Sequence, residues 1–290
     1  KDIFGIVSPD PNGLSGPFGD ERIAGGYLHK FSIFSFFIFP FFFKFKKFYL
    51  SLISAALFII FILAIILSGN RMILILYLMS IFLILAFEKK TRKYVPVSLI
   101  STIVIFYLFF SFNPTFKNHF NGLVKKGTFM VQIFVNENIT KSWKIPGYLI
   151  PDYYQEFKTS YGTWLMNKYI GGGVRSFRIN CWKRKVIQTN ERGTCSTHPH
   201  NYYLEILTEI GVLGLFVTII IASLFIVFII RNFKLLKENS IENSILLAAV
   251  ISLFLEVFPI KSSGSLFSTN DAAYITLIAS IILTYKKKIN

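Results

Sequence analysis

Charged residues are scarce in this sequence, and acidic residues are the scarcer kind. Only 16% of its 290 residues are Asp, Glu, Lys or Arg, whereas about a quarter of a typical soluble domain is charged. Hydrophobic residues make up 53% of the chain and include 33 phenylalanines. A chain this apolar is not an ordinary soluble domain, and its composition predicts a polytopic membrane protein.

The shortage of acids leaves 31 Lys and Arg against 15 Asp and Glu, a formal net charge of +16. Such a charge is typical of nucleic-acid binding, or of membrane proteins that gather Lys and Arg at the cytoplasmic ends of their helices. The basic clusters lie at the ends of alternate hydrophobic segments, at residues 44–47, 88–93, 231–237 and 286–288. Their positions favour the membrane interpretation and exclude a nucleic-acid partner.

Seven hydrophobic segments come near the length of about 20 residues that a membrane-spanning helix needs. They lie at about residues 27–43, 48–67, 72–87, 95–112, 210–230, 244–259 and 272–285. We therefore predict an all-α integral membrane protein with about seven transmembrane helices. It divides into an outer loop with four transmembrane helices (1–112), one large loop (113–209) and three C-terminal transmembrane helices (210–290).

The basic clusters also give the orientation, because they mark the cytoplasmic side. The large loop and the shorter segments 1–26, 68–71 and 260–271 then face the periplasm of a bacterial inner membrane. We predict helices in the large loop around residues 153–170 and 201–211, so that it forms a partly helical cap. The chain starts with Lys1 rather than Met and no secretory signal follows, so we expect further helices before it in a longer protein.

Cysteine is nearly absent. The two that occur, Cys181 and Cys195, lie in the large loop, in a compartment that the topology makes oxidising. A disulfide between them would close a loop of 15 residues, which is worth about 3 kcal/mol in the chain-entropy model. Two unrelated thiols are the alternative. With no further cysteine and no regularly spaced ligand set, the sequence predicts no metal site.

Arg71 stands in a short outer turn, Ser68-Gly69-Asn70-Arg71, where the orientation rule predicts few positive charges. One interpretation is an interfacial arginine whose side chain extends to the lipid headgroups. The other is an anion site, because a guanidinium offers five N–H donors and can bind a phosphate through two of them.

A helix is predicted after the His-Pro-His-Asn sequence that ends at Asn201. Apolar residues follow at the i, i+3, i+4 and i+7 spacing of one helix face, at Tyr203, Ile206, Leu207 and Ile210. His200 then stands at the helix N-terminus, where the helix dipole and nearby arginines disfavour the imidazolium form. A neutral His200 could accept a proton near pH 7, as a general base must.

Plainer interpretations of the same residues stay open. Pro199 restricts His198, and Asn201 is a good helix cap, so the segment could be a capping turn. His198 and His200 could also bind a metal ion together, but a third ligand is not evident. The three glycines at 171–173 lack the spacing of a nucleotide-binding loop, and a tight turn is enough to explain them.

These residues resemble the large periplasmic loop of the O-antigen ligase and polymerase family. The resemblance rests on the stretch GGGVRSFR at 171–178, Cys181, and the stretch CSTHPHNYYLE at 195–205. In that family a His with a following amide residue is spaced nine residues from a Gly-x-x-Gly pair, as His200-Asn201 is here from Gly211 and Gly214. Weaker likenesses lie at 14–21, 25–28 and 68–71, so the resemblance touches nearly the whole chain.

The resemblance implies an inverting membrane glycosyltransferase of the GT-C type that needs no cofactor and no metal. Its donor is a glycan on undecaprenyl diphosphate, and its acceptor is a hydroxyl of lipid A–core or of a growing O-antigen. It also implies roles for particular residues: His200 as the base, Arg178 as a catalytic cation, Arg71 and Arg175 as diphosphate ligands, and His198 and Asn201 as residues that orient the acceptor or the sugar.

One position departs from the family, because related sequences often carry Arg where this chain has Gly13. A catalytically inactive fragment is therefore one alternative. A protein O-oligosaccharyltransferase is another, since the motif does not specify the acceptor. A transporter or flippase of polysaccharide lipid intermediates is the third. It would need charged residues inside its spans, and Glu256 is the first residue to test for that role.

Overall fold

A computed structural model describes residues 24–44, 48–87, 95–135, 152–184, 195–231 and 241–284. In these ranges every regular element is a helix, which confirms the predicted all-α class. The helices are α1 (Ala24–Lys44), α2 (Phe48–Leu67), α3 (Arg71–Phe87), α4 (Val95–Phe112), α5 (Pro114–Val135), α6 (Asp152–Trp164), α7 (Phe177–Lys183), α8 (Tyr202–Glu209), α9 (Gly211–Arg231), α10 (Ile241–Glu256) and α11 (Thr269–Thr284).

Each of the seven hydrophobic segments overlaps one of these helices. Among the described residues, α9 is the single helix that is both long and apolar enough to cross a membrane unaided. A second candidate is a pair, Leu99–Phe112 and Pro114–Phe129, bent by 110° at its break, and α3 and α11 are shorter apolar helices. The crossing by seven helices therefore stays a prediction.

The chain forms two compact units. The first contains Lys1–Leu123, Lys234–Glu256 and Ile278–Asn290, and the second contains Val124–Phe233 and Val257–Leu277. The second unit therefore combines most of the predicted large loop with α9 and with the turn that follows α10. Sequence position does not suggest this grouping, because 23 residues of the first unit, Lys234–Glu256, separate the two parts of the second unit along the chain.

In the first unit, α1 packs on α2, α3 and α10 around a core of aliphatic side chains. Two residues of the turn between α2 and α3 determine its conformation. Gly69 takes a positive φ of 63°, and the Asn70 side chain accepts the backbone N–H of Ile73 at 3.2 Å, which caps α3. A side chain at Gly25 would collide with Ser68, so α1 approaches this turn closely because Gly25 has none.

The sequence does not predict helix α5, because its stretch lies at the start of the predicted large loop. Asn113 accepts the backbone N–H of Phe116 at 3.0 Å and caps the helix, and Pro114 occupies the first helical position. Phe116 and Phe120 are buried, with ring centroids 5.4 Å and 5.0 Å from that of Phe106 on α4. The apolar residues that pack this helix lie on one face, so its sequence contains no continuous hydrophobic segment of membrane-spanning length.

In the second unit, α6 and α7 pack on α8, and α8 packs on α9. Helix α8 ends at Glu209 and α9 begins at Gly211. The φ of Gly211 is 74°, the left-handed conformation that glycine commonly supplies after a helix end. A side chain at Gly211 would collide with the backbone of Tyr169 and Gly171, and one at Gly171 would collide with the backbone of Glu209. The loop at residues 168–175, which contains these glycines and which we call the glycine-rich loop, therefore crosses the α8–α9 junction in direct backbone contact.

Candidate active site

His200 stands immediately before α8 in a strained conformation. Its φ is 54°, a region that residues with a side chain rarely adopt and that is often found at functional sites. The His200 carbonyl accepts the backbone N–H of Ser263 at 2.8 Å. The ring is half-buried, and its centroid lies 4.3 Å from that of His198. Within the described part of the chain no hydrogen bond occupies the His200 ring nitrogens.

The environment of His200 favours the neutral imidazole. Burial lowers its pKa from 6.5 to about 4, and the neighbouring His198 contributes in the same direction. The sequence position of His200 also predicts a neutral ring, but through the helix dipole and nearby arginines as the causes of the lowered pKa. The principal causes are instead desolvation and the second histidine.

Asn201 caps α8 and ties it to the turn after α10. Its Oδ1 accepts the backbone N–H of Tyr203 at 3.0 Å and that of Leu204 at 3.2 Å. Its Nδ2 donates to the carbonyl of Pro259 at 2.7 Å and lies within 3.3 Å of the carbonyl of Lys261. The side chain is only 4% exposed. These contacts are those of the capping alternative, and they give Asn201 a structural task.

His198 is fixed by the residues before it. The hydroxyl of Ser196 donates to the His198 carbonyl at 2.6 Å, and the hydroxyl of Thr197 lies 3.0 Å from His198 Nδ1. Pro199 between the two histidines is buried. In the ranges that the structure describes, no group of three His, Cys, Asp or Glu side chains is placed to hold a metal ion.

Two buried glutamates on α8 were missed by sequence reasoning. Glu205 and Glu209 are each 1% exposed and stand one turn apart. Glu205 accepts the Ser265 hydroxyl at 2.5 Å and the backbone N–H of Leu266 at 2.6 Å. Burial raises its pKa to about 7, although these two bonds oppose the shift. The sequence feature that could have identified them is the i, i+4 spacing of two acidic residues in a chain that has few acids.

Glu209 holds the loop that carries Arg175. It accepts the backbone N–H of Arg175 at 2.6 Å, while the Arg175 guanidinium donates to the carbonyl of Phe267 at 3.3 Å. Burial raises the pKa of Glu209, and the charges of Arg178 and Arg175 oppose the rise. Arg178 is exposed on α7. Both arginines of the glycine-rich motif therefore belong to the same unit as the histidines and act on the same carboxylate.

Cys181 and Cys195 form a disulfide with a Cα–Cα distance of 5.7 Å. Cys181 lies on α7, three residues after Arg178, and Cys195 lies three residues before His198. The guanidinium of Arg184 is 2.9 Å from each sulfur atom. The bond therefore joins the helix that carries Arg178 to the segment that carries both histidines.

Arg71 belongs to the first unit and has a partner that the sequence did not reveal. It is the first residue of α3, and its guanidinium donates to the His119 carbonyl at 2.5 Å. Two guanidinium nitrogens each lie 3.1 Å from a ring nitrogen of His119. The His119 Nε2 is also 2.9 Å from the carbonyl of Gly69. Arg71 is therefore held by α5. Gly13, the position that departs from the family, lies outside the described residues.

Glu256, the residue singled out by the transporter alternative, forms an ion pair with Lys30. The Lys30 Nζ lies 3.3 Å from the Glu256 carboxylate, and the two side chains are 12% and 3% exposed. A buried charge is costly unless it is paired. The pair joins α1 to α10 inside the first unit.

A family model described as O-antigen ligase matches residues 56–219, more than half of the chain. The matched range includes Arg71, both arginines of the glycine-rich motif, both cysteines, both histidines and the Gly211–Gly214 pair. No curated protein and no solved structure matches the chain. The proteins that this family describes are bacterial membrane glycosyltransferases of the O-antigen ligase and polymerase type. The chain belongs to the O-antigen ligase family.

Proposed function

We propose that this protein transfers a glycan from undecaprenyl diphosphate to an acceptor hydroxyl at the periplasmic face of the bacterial inner membrane. The acceptor is lipid A–core or a growing O-antigen chain. One observation carries the proposal: a half-buried, neutral His200 stands in the same unit as Arg175 and Arg178. On the helix that follows His200, the Glu209 carboxylate accepts the Arg175 backbone N–H and is within reach of the Arg178 charge.

In this reaction His200 takes the proton from the acceptor hydroxyl. The hydroxyl oxygen bonds to the anomeric carbon as the bond from that carbon to the diphosphate breaks, so undecaprenyl diphosphate leaves. Attack from the opposite face inverts the anomeric centre. A pKa of about 4 makes His200 a weak base in the free protein. The negative diphosphate would favour the protonated ring and raise that pKa when the donor is bound.

The arginines supply the positive charge that the leaving diphosphate needs. Arg178 is exposed and Arg175 uses only part of its guanidinium in the bond to Phe267, so both can bind phosphate oxygens. Arg71, which His119 holds in the first unit, stays a predicted diphosphate ligand that rests on the family resemblance alone. Cationic side chains placed where charge develops stabilise the transition state, and a mechanism of this kind needs no metal ion.

His198 and Asn201 are positioning residues in this reaction. His198 lowers the pKa of His200 and would help to orient the acceptor or the sugar. Asn201 fixes the start of α8 and the turn at Pro259, so that its effect on the substrate passes through the backbone. The Cys181–Cys195 bond holds the His198 segment and the Arg178 helix together.

The proposal includes the predicted topology. The seven hydrophobic helices cross the bilayer, the four basic clusters lie in the cytoplasm, and the second unit faces the periplasm with α9 in the membrane. The exposed apolar side chains of α9, which include Phe216, Ile221 and Ile230 at 60%, 62% and 66%, support its contact with lipid.

A lipid-intermediate transporter is the second candidate, and the buried Lys30–Glu256 pair favours it. Ionisable residues inside membrane segments commonly mark transport pathways. Substitution of both residues by Met would remove the charges and keep the volume. A transporter would lose its activity in this double variant, whereas a transferase that retains its fold would keep glycan transfer.

The decisive experiment expresses the full-length gene in a strain that lacks its own O-antigen ligase. We expect the wild-type protein to restore glycan-capped lipopolysaccharide on gels, and His200→Ala and Arg178→Ala to abolish it at equal abundance in the membrane. Arg231→Ala is the matched control, since Lys234 and Lys237 preserve the basic cluster around it. Capping by His200→Ala would refute the base assignment. Longer glycan on the lipid carrier alone would identify a polymerase.

A further inference from the structure

The glycine-rich loop is bound by its backbone to the first turn of α9. The N–H of Val212 donates to the carbonyl of Lys168 at 3.0 Å, and the N–H of Leu213 donates to that of Tyr169 at 3.1 Å. On the α8 side, Gly172 and Gly173 donate to the carbonyls of Thr208 and Glu209 at 3.0 Å and 2.9 Å. With bonds on both sides of Gly211, the loop cannot move away from the start of α9 without breaking them.

Large apolar side chains project from this loop and from α7, which follows it. Five of them are well exposed: Tyr169 (75%), Ile170 (72%), Val174 (60%), Ile179 (55%) and Trp182 (74%). We call these five residues the apolar collar. In α7 the inward face is occupied by Phe177 and Cys181, which are each 1% exposed, so the Ile179 and Trp182 side chains form an outward face. Single exposed apolar residues are common, but a group of five indicates an interaction surface.

The collar begins beside the first turn of α9, at Tyr169. The first turns of α9 expose Val212, Leu213 and Phe216 at 41%, 59% and 60%, and α9 is the described helix that is long and apolar enough to cross a membrane. Because the carbonyls of Lys168 and Tyr169 bond to its first turn, the collar begins at the level where α9 begins. A bilayer that covers α9 up to its N-terminus therefore reaches the collar.

The collar also has the composition of the membrane interface. Trp and Tyr concentrate at the headgroup level, where an apolar ring and a polar atom are both satisfied. Lys168, Arg175 and Arg178 lie within the same stretch of sequence, and basic side chains at this level contact lipid phosphates. A protein partner would explain the apolar residues but would not require the bonds to the start of a membrane helix.

We propose that the apolar collar inserts into the headgroup region of the outer leaflet and fixes the catalytic unit at the depth of the lipid phosphates. The inference rests on the proposed function in one respect, because it takes α9 to cross the membrane. Its consequence for the reaction is geometric. Arg175 and Arg178, which lie between the collar residues Val174 and Ile179 in the sequence, are held where the diphosphate of a carrier lipid emerges from the bilayer.

Fluorescence quenching in liposomes tests this inference without measuring activity. The full chain has three tryptophans, Trp143, Trp164 and Trp182, so the double variant W143F/W164F reports on Trp182 alone. We expect phospholipids brominated near the headgroup end of the acyl chain to remove most of its emission, and the water-soluble quencher acrylamide to remove little. Strong quenching by acrylamide together with none by brominated lipid would overturn the proposal.

A second pair of reporters separates this inference from the membrane topology. In a tryptophan-free background, F216W places the reporter on α9 and V174W places it in the collar. Quenching of F216W but not of V174W by brominated lipid refutes the collar alone, whereas failure of both refutes the membrane position of α9. Protection of V174W from both quenchers, with a doubled mass in detergent, would assign the surface to a second copy of the chain and also overturn the proposal.

Discussion

The carboxylate of Glu209 accepts the backbone N–H of Arg175 at 2.6 Å, although 34 residues separate them in the sequence. Arg175 has a φ of 62°, so its backbone is held in a conformation that it would rarely adopt alone. The bond fixes the direction in which Arg175 leaves the glycine-rich loop. It makes Glu209 a positioning residue for the arginines rather than a group that contacts substrate.

Glu209→Ala is expected to remove this support. The change leaves the part-buried N–H of Arg175 without its acceptor. We expect a loss of about 1 kcal/mol, the low end of the cost of an unsatisfied buried donor, and glycan capping should fall with it. Glu209→Gln retains an acceptor oxygen and should recover most of the unfolding free energy. Thermal melting in detergent and the capping assay check both variants. Equal melting temperatures for the Ala variant and the wild type would contradict the role.

Glu205 is expected to make stability depend on pH. Its pKa is raised from 4.5 to about 7 by burial, so the folded state binds a proton that the unfolded state has released between these values. Its contribution to stability is fully present below pH 4.5 and is lost as pH rises through about 7. Glu205→Gln should flatten this dependence and melt at a higher temperature than the wild type at pH 8. An unchanged pH profile in the variant would refute the shift.

His200 is expected to give stability the opposite dependence on pH. Its folded-state pKa is lowered from 6.5 to about 4, so its contribution is present above pH 6.5 and is lost as pH falls through about 4. Melting curves of wild type and His200→Gln between pH 4 and 7 test this, with the wild type losing more of its stability at the acid end. The two profiles would coincide if the ring were exposed to water.

The crossing of Gly171 and Gly211 gives a prediction with an internal control. Alanine at either position meets both a positive φ and the backbone of the other chain segment, so we expect a loss of more than about 1 kcal/mol and loss of activity. A Cβ at Gly127 in α5 meets nothing within 4 Å. Gly127→Ala should instead stabilise the helix by about 0.5–1 kcal/mol. Melting temperatures of the three variants decide the matter.

Loss of the disulfide should affect both stability and activity. Cys181→Ser removes a bond that closes a 15-residue loop, and the expected cost is about 3 kcal/mol. Because the bond joins the Arg178 helix to the His198 segment, capping should decrease at temperatures where the fold persists. The wild type should change mobility on gels when reduced and the variant should not. Identical mobility of the wild type with and without reductant would show that the bond does not form.

The sequence predicted those parts of the fold that local patterns specify. Continuous hydrophobic segments identify α2, α3 and α9, because a helix suited to an apolar medium has apolar residues along its whole length. The start of α8 is evident because Asn201 caps it and apolar residues follow at helical spacing. Helix α5 escapes because its apolar residues occupy one face.

The contacts that complete the site could not be predicted, because they join residues that are distant in the sequence. Asn201 bonds to the carbonyl of Pro259, which lies 58 residues away, and Arg71 bonds to His119 across 48 residues. Hydropathy and helical spacing carry no information on such pairs. The i, i+4 spacing of Glu205 and Glu209 is visible in the sequence, but their partners are not, because the bonds to Ser265, Leu266 and Arg175 form only when two separate loops pack beside α8.

The bonds between the glycine-rich loop and the two sides of the α8–α9 junction fix the number of residues that the loop must contain. From Lys168 to Arg175 the backbone must supply carbonyls to α9, N–H groups to α8 and one N–H to Glu209, in that order. An inserted or deleted residue would shift every later partner by one position and leave Glu209 facing the wrong amide. Substitution of the exposed Lys168 side chain, which has no role in these backbone bonds, should thus be tolerated far better than any change in the length of the segment.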